Sequence, residues 1–266
     1  MFQHQAKVLW NEKISSGCYK IGLTCPERYS VARPGQFIML RLAGHTDPLL
    51  RRPFSIHNLI ISEGKTEGFE LLYKVVGKAT AILARQRPGV MVDILGPLGT
   101  GFIIPRAARG IHVVAGGIGV APLVFLASQL YRNRFDFSNC LVFIGGRTKE
   151  DLLCRDDFVR LGLKVATTTD DGSAGNQCLV THPLAEAVDR NPPDLIVACG
   201  PMAMLACVIG IAEKHRVACQ VSIETVMACG MGACLGCAVE GRPDRDRYLH
   251  ACMDGPVFDA TDLSFA

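Results

Sequence analysis

Ile111-His-Val-Val-Ala-Gly-Gly-Ile-Gly-Val-Ala-Pro122 reads as a buried strand, a glycine turn and the start of a helix. The apolar run has the length of a strand. Gly116, Gly117 and Gly119 then allow a tight turn and close backbone approach to a ligand. A helix starting directly after such a turn presents free N–H groups and the positive end of its dipole, which suits a pyrophosphate. The pattern is not a strict G-x-G-x-x-G, and glycine turns between strand and helix are common without any ligand. Two similar turns follow: Gly145-Gly146-Arg147 and Cys199-Gly200-Pro201-Met202. Parallel sheets bind ligands at the carboxyl ends of their strands, so three such turns on one edge point to a nucleotide.

Outward from this stretch, buried strands are predicted at 111–115, 140–145, 163–168, 195–199 and 217–222, with helices near 119–131, 150–161, 181–189 and 202–215. This alternation predicts an α/β domain with a parallel sheet covered on both faces. Leu195 to Ala212 carries no charge and has the length of a membrane span, but Gly200-Pro201 breaks it into strand and helix. Upstream, apolar residues alternate at 18–23, 36–42 and 69–76, punctuated by Pro34-Gly35 and Pro88-Gly89. Short strands at such intervals predict a small antiparallel β-barrel, interrupted by one helix near Thr80–Gln86. The expected organisation is a barrel at 1–103, an α/β nucleotide domain at 104–218 and a Cys-rich domain at 219–266.

The Cys-rich segment holds Cys229-Gly-Met-Gly-Ala-Cys234-Leu-Gly-Cys237, closed by Cys252. The C-x4-C-x2-C…C order is the plant-type ferredoxin spacing for a [2Fe–2S] cluster. Structural zinc sites more often pair cysteines in two short knuckles. Here three thiols crowd together among small residues, as a loop must if it is to wrap a cluster and aim N–H groups at sulfur. Disulfide scaffolds belong to short secreted chains, whereas this chain has 266 residues and opens with no signal-peptide pattern. Most of the remaining cysteines sit in apolar stretches, which fits a reducing, cytoplasmic setting. A net charge of +3 is too small to argue for nucleic acid or an anionic membrane.

In the barrel, Arg51-Arg52-Pro53-Phe54-Ser55 sets two cations and a hydroxyl around a rigid pair. It reads either as a solvated basic turn or as a flavin site. Gly77-Lys-Ala79-Thr80 precedes the barrel helix, where Thr80 reads as a cap or a phosphate contact. His4, His45, His57, His112, His182, His215 and His250 show no ligand spacing and are read as ordinary residues.

Arg52-Pro-Phe-Ser55, Gly96-Pro-Leu-Gly-Thr-Gly-Phe102, the turn at 115–122 and Cys199-Gly-Pro-Met202 occur in the order of the ferredoxin–NADP reductase superfamily. With Glu224 to Cys237 and Cys252-Met-Asp-Gly-Pro-Val-Phe258 added, the chain resembles the electron-transfer subunits of dihydroorotate dehydrogenase B over nearly its whole length. That resemblance implies that Arg52, Pro53, Phe54, Ser55, Leu72, Tyr73, Lys74, Gly77, Ala79 and Thr80 contact FAD. It implies that Gly116, Gly117, Gly119, Cys199, Gly200 and Pro201 face NAD, and that Cys229, Cys234, Cys237 and Cys252 hold the cluster. Ala79 departs from the family, which usually has glycine there; a positive φ at that position would strain alanine. The three cofactors belong together, because a nicotinamide exchanges electron pairs, a [2Fe–2S] cluster single electrons, and a flavin both. No catalytic acid or base is required, and none is assigned.

Three cofactor modules use up the chain and leave no substrate pocket. The resemblance supplies a partner: an FMN-containing catalytic subunit that oxidises dihydroorotate in pyrimidine synthesis, two copies of each subunit forming a heterotetramer. A reductase subunit for ferredoxin, sulfide, sulfite or a hydrogenase shares the modules. A non-catalytic zinc-bearing partner protein is the alternative of another class. Arg147, Lys149 and Asp151 lie where NAD is told from NADP, and only the resemblance favours NAD.

Overall fold

A computed structural model describes residues 2–42, 47–242 and 248–264. Alternating apolar residues build six strands: β1 (Phe2–Ser15), β2 (Cys18–Thr24), β3 (Phe37–Leu42), β4 (Arg52–Ser62), β5 (Lys65–Lys74) and β6 (Met91–Leu98). They close into an antiparallel barrel in the order β1-β2-β5-β4-β3-β6, which leaves no open edge. Its filling includes Ile21, Leu23, Tyr29, Ile38, Ile56, Phe69 and Leu71. Helix α1 (Lys78–Leu83) starts two residues earlier than the sequence predicts. The reason is Thr80, which sits inside the first turn; its Oγ1 accepts from the N–H groups of Val76 at 3.0 Å and Gly77 at 3.2 Å.

One ion cluster secures the barrel wall. Asp93 is nearly buried and accepts from Arg41 at 2.8 Å, from Arg51 at 2.9 Å and from Gln3 at 2.9 Å. Arg51, read from the sequence as one of two cations beside a ligand, is therefore committed to the fold. Removing one member of such a buried set strands the other charges. Asp93→Ala should lower the unfolding free energy by about 3 kcal/mol, read as a fall in the urea midpoint at unchanged slope; an unaltered midpoint would show that the pair is dispensable.

The second layer system uses β7 (Ile111–Gly116), α2 (Val120–Arg132), β8 (Leu141–Gly146), α3 (Arg155–Arg160), β9 (Lys164–Thr169), β10 (Asn176–Gln177), α4 (Thr181–Arg190), β11 (Leu195–Cys199), α5 (Met202–His215) and β12 (Ala218–Ser222). The chain then forms a hairpin, β13 (Ala238–Glu240) with β14 (Tyr248–His250), and ends on β15 (Val257–Asp259). The sheet order is β10-β9-β8-β7-β11-β12-β15, parallel throughout except for β15, which pairs antiparallel with β12. Gly116 lies opposite Gly145, and Ala115 opposite Cys199, so the three turns read from the sequence share one sheet edge. No helix among the described residues is long and apolar enough to cross a membrane.

Two elements differ from the pattern reading. The helix predicted at 150–161 is shorter, because Lys149–Asp151 forms a separate 3-10 turn and Cys154 adopts a left-handed φ of 61° before α3 begins. The boundary drawn at 218/219 falls inside β12, and the Cys-rich segment is an excursion from the sheet that returns as β15. The linker after β6 is tied to that return: Thr100 N–H donates to the Gly255 carbonyl at 2.6 Å, and its hydroxyl to Val257 O at 2.9 Å.

Candidate functional site

The barrel wall, the first turn of α1, the glycine turn and the segment after β12 enclose a cleft of about 620 Å³, within the size range of cofactor sites. Arg52, Pro53, Phe54 and Ser55 line it from β4; Leu72, Tyr73 and Lys74 line it from β5; Gly77, Ala79 and Thr80 line it from α1. All ten residues expected at a flavin thus border one cavity. Tyr73 is fixed from behind, donating its hydroxyl to Asn11 at 3.0 Å and stacking on Tyr19. Burial pushes its phenol well above the ordinary value, so it stays protonated. Arg52 donates to Leu50 O at 2.9 Å and Arg51 O at 3.2 Å, which holds its guanidinium near the mouth. Ala79 lies within α1 and is not among the residues of positive φ, so the missing glycine brings no backbone strain.

A second cleft of about 690 Å³ opens at the sheet edge. Gly116, Gly117, Gly119, Cys199, Gly200 and Pro201 all line it. Lys74, Ile118, Gly119, Cys199 and Glu224 border both clefts, so the two adjoin. The fit depends on Gly119: a Cβ there would press on the Cys199 carbonyl oxygen and reach Gly200 N at 2.7 Å. Cys199 is a packed wall rather than a nucleophile, since burial pushes its thiol up to about 12. Across the cleft mouth, Asp151 accepts from Lys74 at 3.1 Å and from Arg147 at 3.4 Å. Burial alone would raise the Asp151 carboxyl, but the two cations outweigh it and hold it below its usual range. Asp170 also faces this cleft, whereas Lys149 does not. Arg147 is thus partly neutralised, which leaves less free positive charge for a 2′-phosphate.

The four cysteines after β12 fall into two pairs, the division a two-iron cluster requires. Cys237 Sγ lies 3.2 Å from Cys252 Sγ, and Cys229 shares a hydrogen bond with the Cys234 thiol. Backbone N–H groups point at sulfur: Met231 and Cys234 at Cys229, each at 3.4 Å, and Gly232 at Cys252 at 3.2 Å. Gly232 achieves this with φ of 80°, and a Cβ there would meet Met253 Cγ at 2.9 Å. Burial works against ionisation of Cys229, but these N–H donors overcome it and bring the thiol down to about 7. Cys252 goes the other way, to about 12, through burial and its contact with Cys237. Cys237 and Cys252 are buried; Cys234 is exposed, with Met231, Leu235 and Met253 exposed around it.

Sequence reasoning missed four residues by which this segment meets the flavin cleft. Ile223, Thr225, Met227 and Pro256 line the first cleft beside Glu224. The only signal was position, because they flank motifs already singled out. The histidine reading also needs one correction. His57 is not isolated: it approaches Cys154 and Asp157, which lie about a hundred residues on. Such a separation leaves no spacing to read. His45 lies outside the described residues.

A closed barrel, a nucleotide sheet and a four-thiol loop meeting at adjoining clefts define a nucleotide-linked reductase with an iron–sulfur segment. Residues 224–264 match the iron–sulfur cluster binding domain of dihydroorotate dehydrogenase B, and residues 113–209 the oxidoreductase NAD-binding domain. The dihydroorotate dehydrogenase B (NAD(+)) electron transfer subunit of Desulforamulus reducens is 38% identical over 95% of this chain and 95% of its own length. The subunit of the same name from Caldanaerobacter subterraneus subsp. tengcongensis is 36% identical over 98% of both. The chain belongs to this family of electron transfer subunits, and it is an oxidoreductase subunit. Among solved structures, that of an NADH-dependent reduced ferredoxin-NADP oxidoreductase superposes with a TM-score of 0.82 at 28% identity, covering 97% of this chain and 89% of that one. A ferredoxin NADP+ reductase from Neisseria gonorrhoeae shares the fold, with a TM-score of 0.67 at 16% identity over 80% of this chain and 91% of that one.

Proposed function

We propose that this chain passes electrons from a dihydroorotate-oxidising, FMN-containing subunit to NAD⁺ by way of a [2Fe–2S] centre and FAD. One observation carries the reading: Glu224, Thr225 and Met227, which lead into the cysteine loop, line the same cleft as Arg52–Ser55 and Leu72–Lys74, and that cleft shares Lys74, Gly119, Cys199 and Glu224 with the one bordered by Gly116–Gly119. Bound FAD exchanges electron pairs with a nicotinamide and single electrons with an iron–sulfur centre, which is the chemistry this junction calls for.

The chain's residues bind and orient. The α1 turn and Arg52 would hold the phosphates of FAD, and Ser55, Leu72, Tyr73 and Lys74, which line the same cleft, would hold its ring system. Gly116, Gly117 and Gly119 admit the dinucleotide, with Gly200 and Pro201 opposite. Cys229 and Cys234 would hold one iron, Cys237 and Cys252 the other. The apolar residues exposed around Cys234 suit a docked catalytic partner, and two of each subunit would form a heterotetramer. All twelve cysteines are free of disulfides, in keeping with a cytoplasmic protein.

Arg52→Ala should lower the FAD retained after gel filtration by about tenfold, the scale of one charge-assisted phosphate contact; full flavin occupancy would argue against the barrel site. The reading as a whole is tested by adding NADH to the isolated chain without oxygen. Bleaching of flavin and cluster absorbance together supports it. Flavin bleaching with the cluster untouched would separate the two centres and refute the continuous route.

A further inference from the structure

His57, Cys154 and Asp157 form a second cluster of ligating side chains, behind the clefts and at the joint between barrel and sheet domain. A ring nitrogen of His57, the Cys154 Sγ and a carboxylate oxygen of Asp157 all lie within 4.8 Å of one another. His57 comes from β4, whereas Cys154 and Asp157 come from the start and first turn of α3. His57 is 1% exposed. Its Nδ1 sits 3.0 Å from the Ala121 carbonyl on α2. A carbonyl only accepts, so Nδ1 carries the proton and Nε2 keeps a bare lone pair. That Nε2 is buried and has no hydrogen-bond partner. A buried imidazole nitrogen left unpaired is costly. The Nδ1–H···O=C contact is the one that orients metal-bound histidines.

We propose that His57, Cys154 and Asp157 bind a divalent cation of the zinc type, which clamps the flavin barrel to the nucleotide domain. Imidazole, thiolate and carboxylate together suit zinc, and a sulfur and a nitrogen donor exclude calcium and magnesium. Bonds of about 2.0–2.3 Å place tetrahedral ligand atoms about 3.3–3.8 Å apart, so small side-chain rotations close the site. Water takes the fourth position. Lys20 on β2 lies 3.8 Å from Asp157, and Glu70 on β5 faces the same group of residues. Arg160 also pairs with Asp157, from the exposed rim, so a dication with Lys20 and Arg160 meets the Cys154 thiolate, Asp157 and Glu70 with one positive charge in excess. Cys154 and Asp157 are only partly buried, which leaves an entry path. Cys154 itself stands at a left-handed φ of 61°, a strained backbone of the kind kept at functional positions.

The test uses the holoprotein, loaded with flavin and cluster. It is stripped with EDTA, incubated with zinc chloride, desalted and assayed for zinc, iron and flavin. The wild type should retain about one zinc per chain beside unchanged iron and flavin, and its melting temperature should rise on zinc addition. Cys154→Ser and Asp157→Asn should keep iron and flavin, lose that zinc and show no zinc-dependent rise. Wild-type protein that retains no zinc overturns the proposal, whatever the variants do. Equal zinc retention by wild type and both variants overturns it as well, by placing the ion elsewhere.

Discussion

Cys237→Ser should give a folded chain that keeps its flavin, reduces an artificial dye with NADH, and carries almost no iron or sulfide. Cys237 is 2% exposed and its sulfur is 3.2 Å from that of Cys252. The core that this pair shares with Leu249 and Ala251 also holds Cys219, which belongs to sheet strand β12 and not to the cysteine loop. A serine hydroxyl stays protonated where a thiol would ionise, which makes it a far poorer ligand to iron than a thiolate. Outer-sphere partners alone are worth about 10–100-fold in metal affinity, so loss of a direct ligand should exceed that. Iron and sulfide analysis after anaerobic purification, with the visible spectrum, reads the result. Normal iron content in this variant would remove Cys237 from the ligand set.

Gly119→Val should damage both clefts at once. Any Cβ at Gly119 collides with the backbone of β11 and the turn after it, with Cys199 C at 2.6 Å and Gly200 N at 2.7 Å. Backbone atoms cannot rotate away as a flexible side chain can. The turn between β7 and α2 must therefore lift off β11, and residues on both sides of that contact border both clefts. Overpacking of this kind costs about 3 kcal/mol, which should appear as a lower melting temperature, together with an at least about tenfold higher KM for NADH in the dye assay. Wild-type stability and KM would show that the close approach is not required. Gly117 offers a contrast, since its Cβ would meet no atom within 4 Å and only its φ of 53° opposes substitution.

Much of this architecture could be read in the chain because its signals are local. The strands at 111–115 and 195–199 are apolar runs, interrupted only by His112 and closed by glycine, the helix at 202–215 opens directly after Gly200-Pro201, and all three fall within a residue of their observed limits. The cysteine spacing is equally local. What could not be read depends on contacts between distant segments. The return of Val257–Asp259 to the sheet edge joins residues some forty positions beyond β12. The commitment of Arg51 to Asp93 spans 42 positions, so Arg51 and Arg52 look alike in sequence although only Arg52 lines the cleft. The late start of the helix predicted from residue 150 traces to Cys154, a non-glycine residue at positive φ, which no propensity foresees. The sharing of Lys74, Gly119 and Glu224 by the two clefts follows from the same long-range packing.

The central claim is that this chain links a dihydroorotate-oxidising partner to NAD⁺. Co-expression with that flavin-bearing partner, followed by an assay of NAD⁺ reduction with dihydroorotate as sole donor, tests it most directly. The account predicts NADH formation that needs both subunits and is abolished by Cys237→Ser. A complex that forms no NADH from dihydroorotate, while the chain reduces NAD⁺ with reduced ferredoxin, would contradict it.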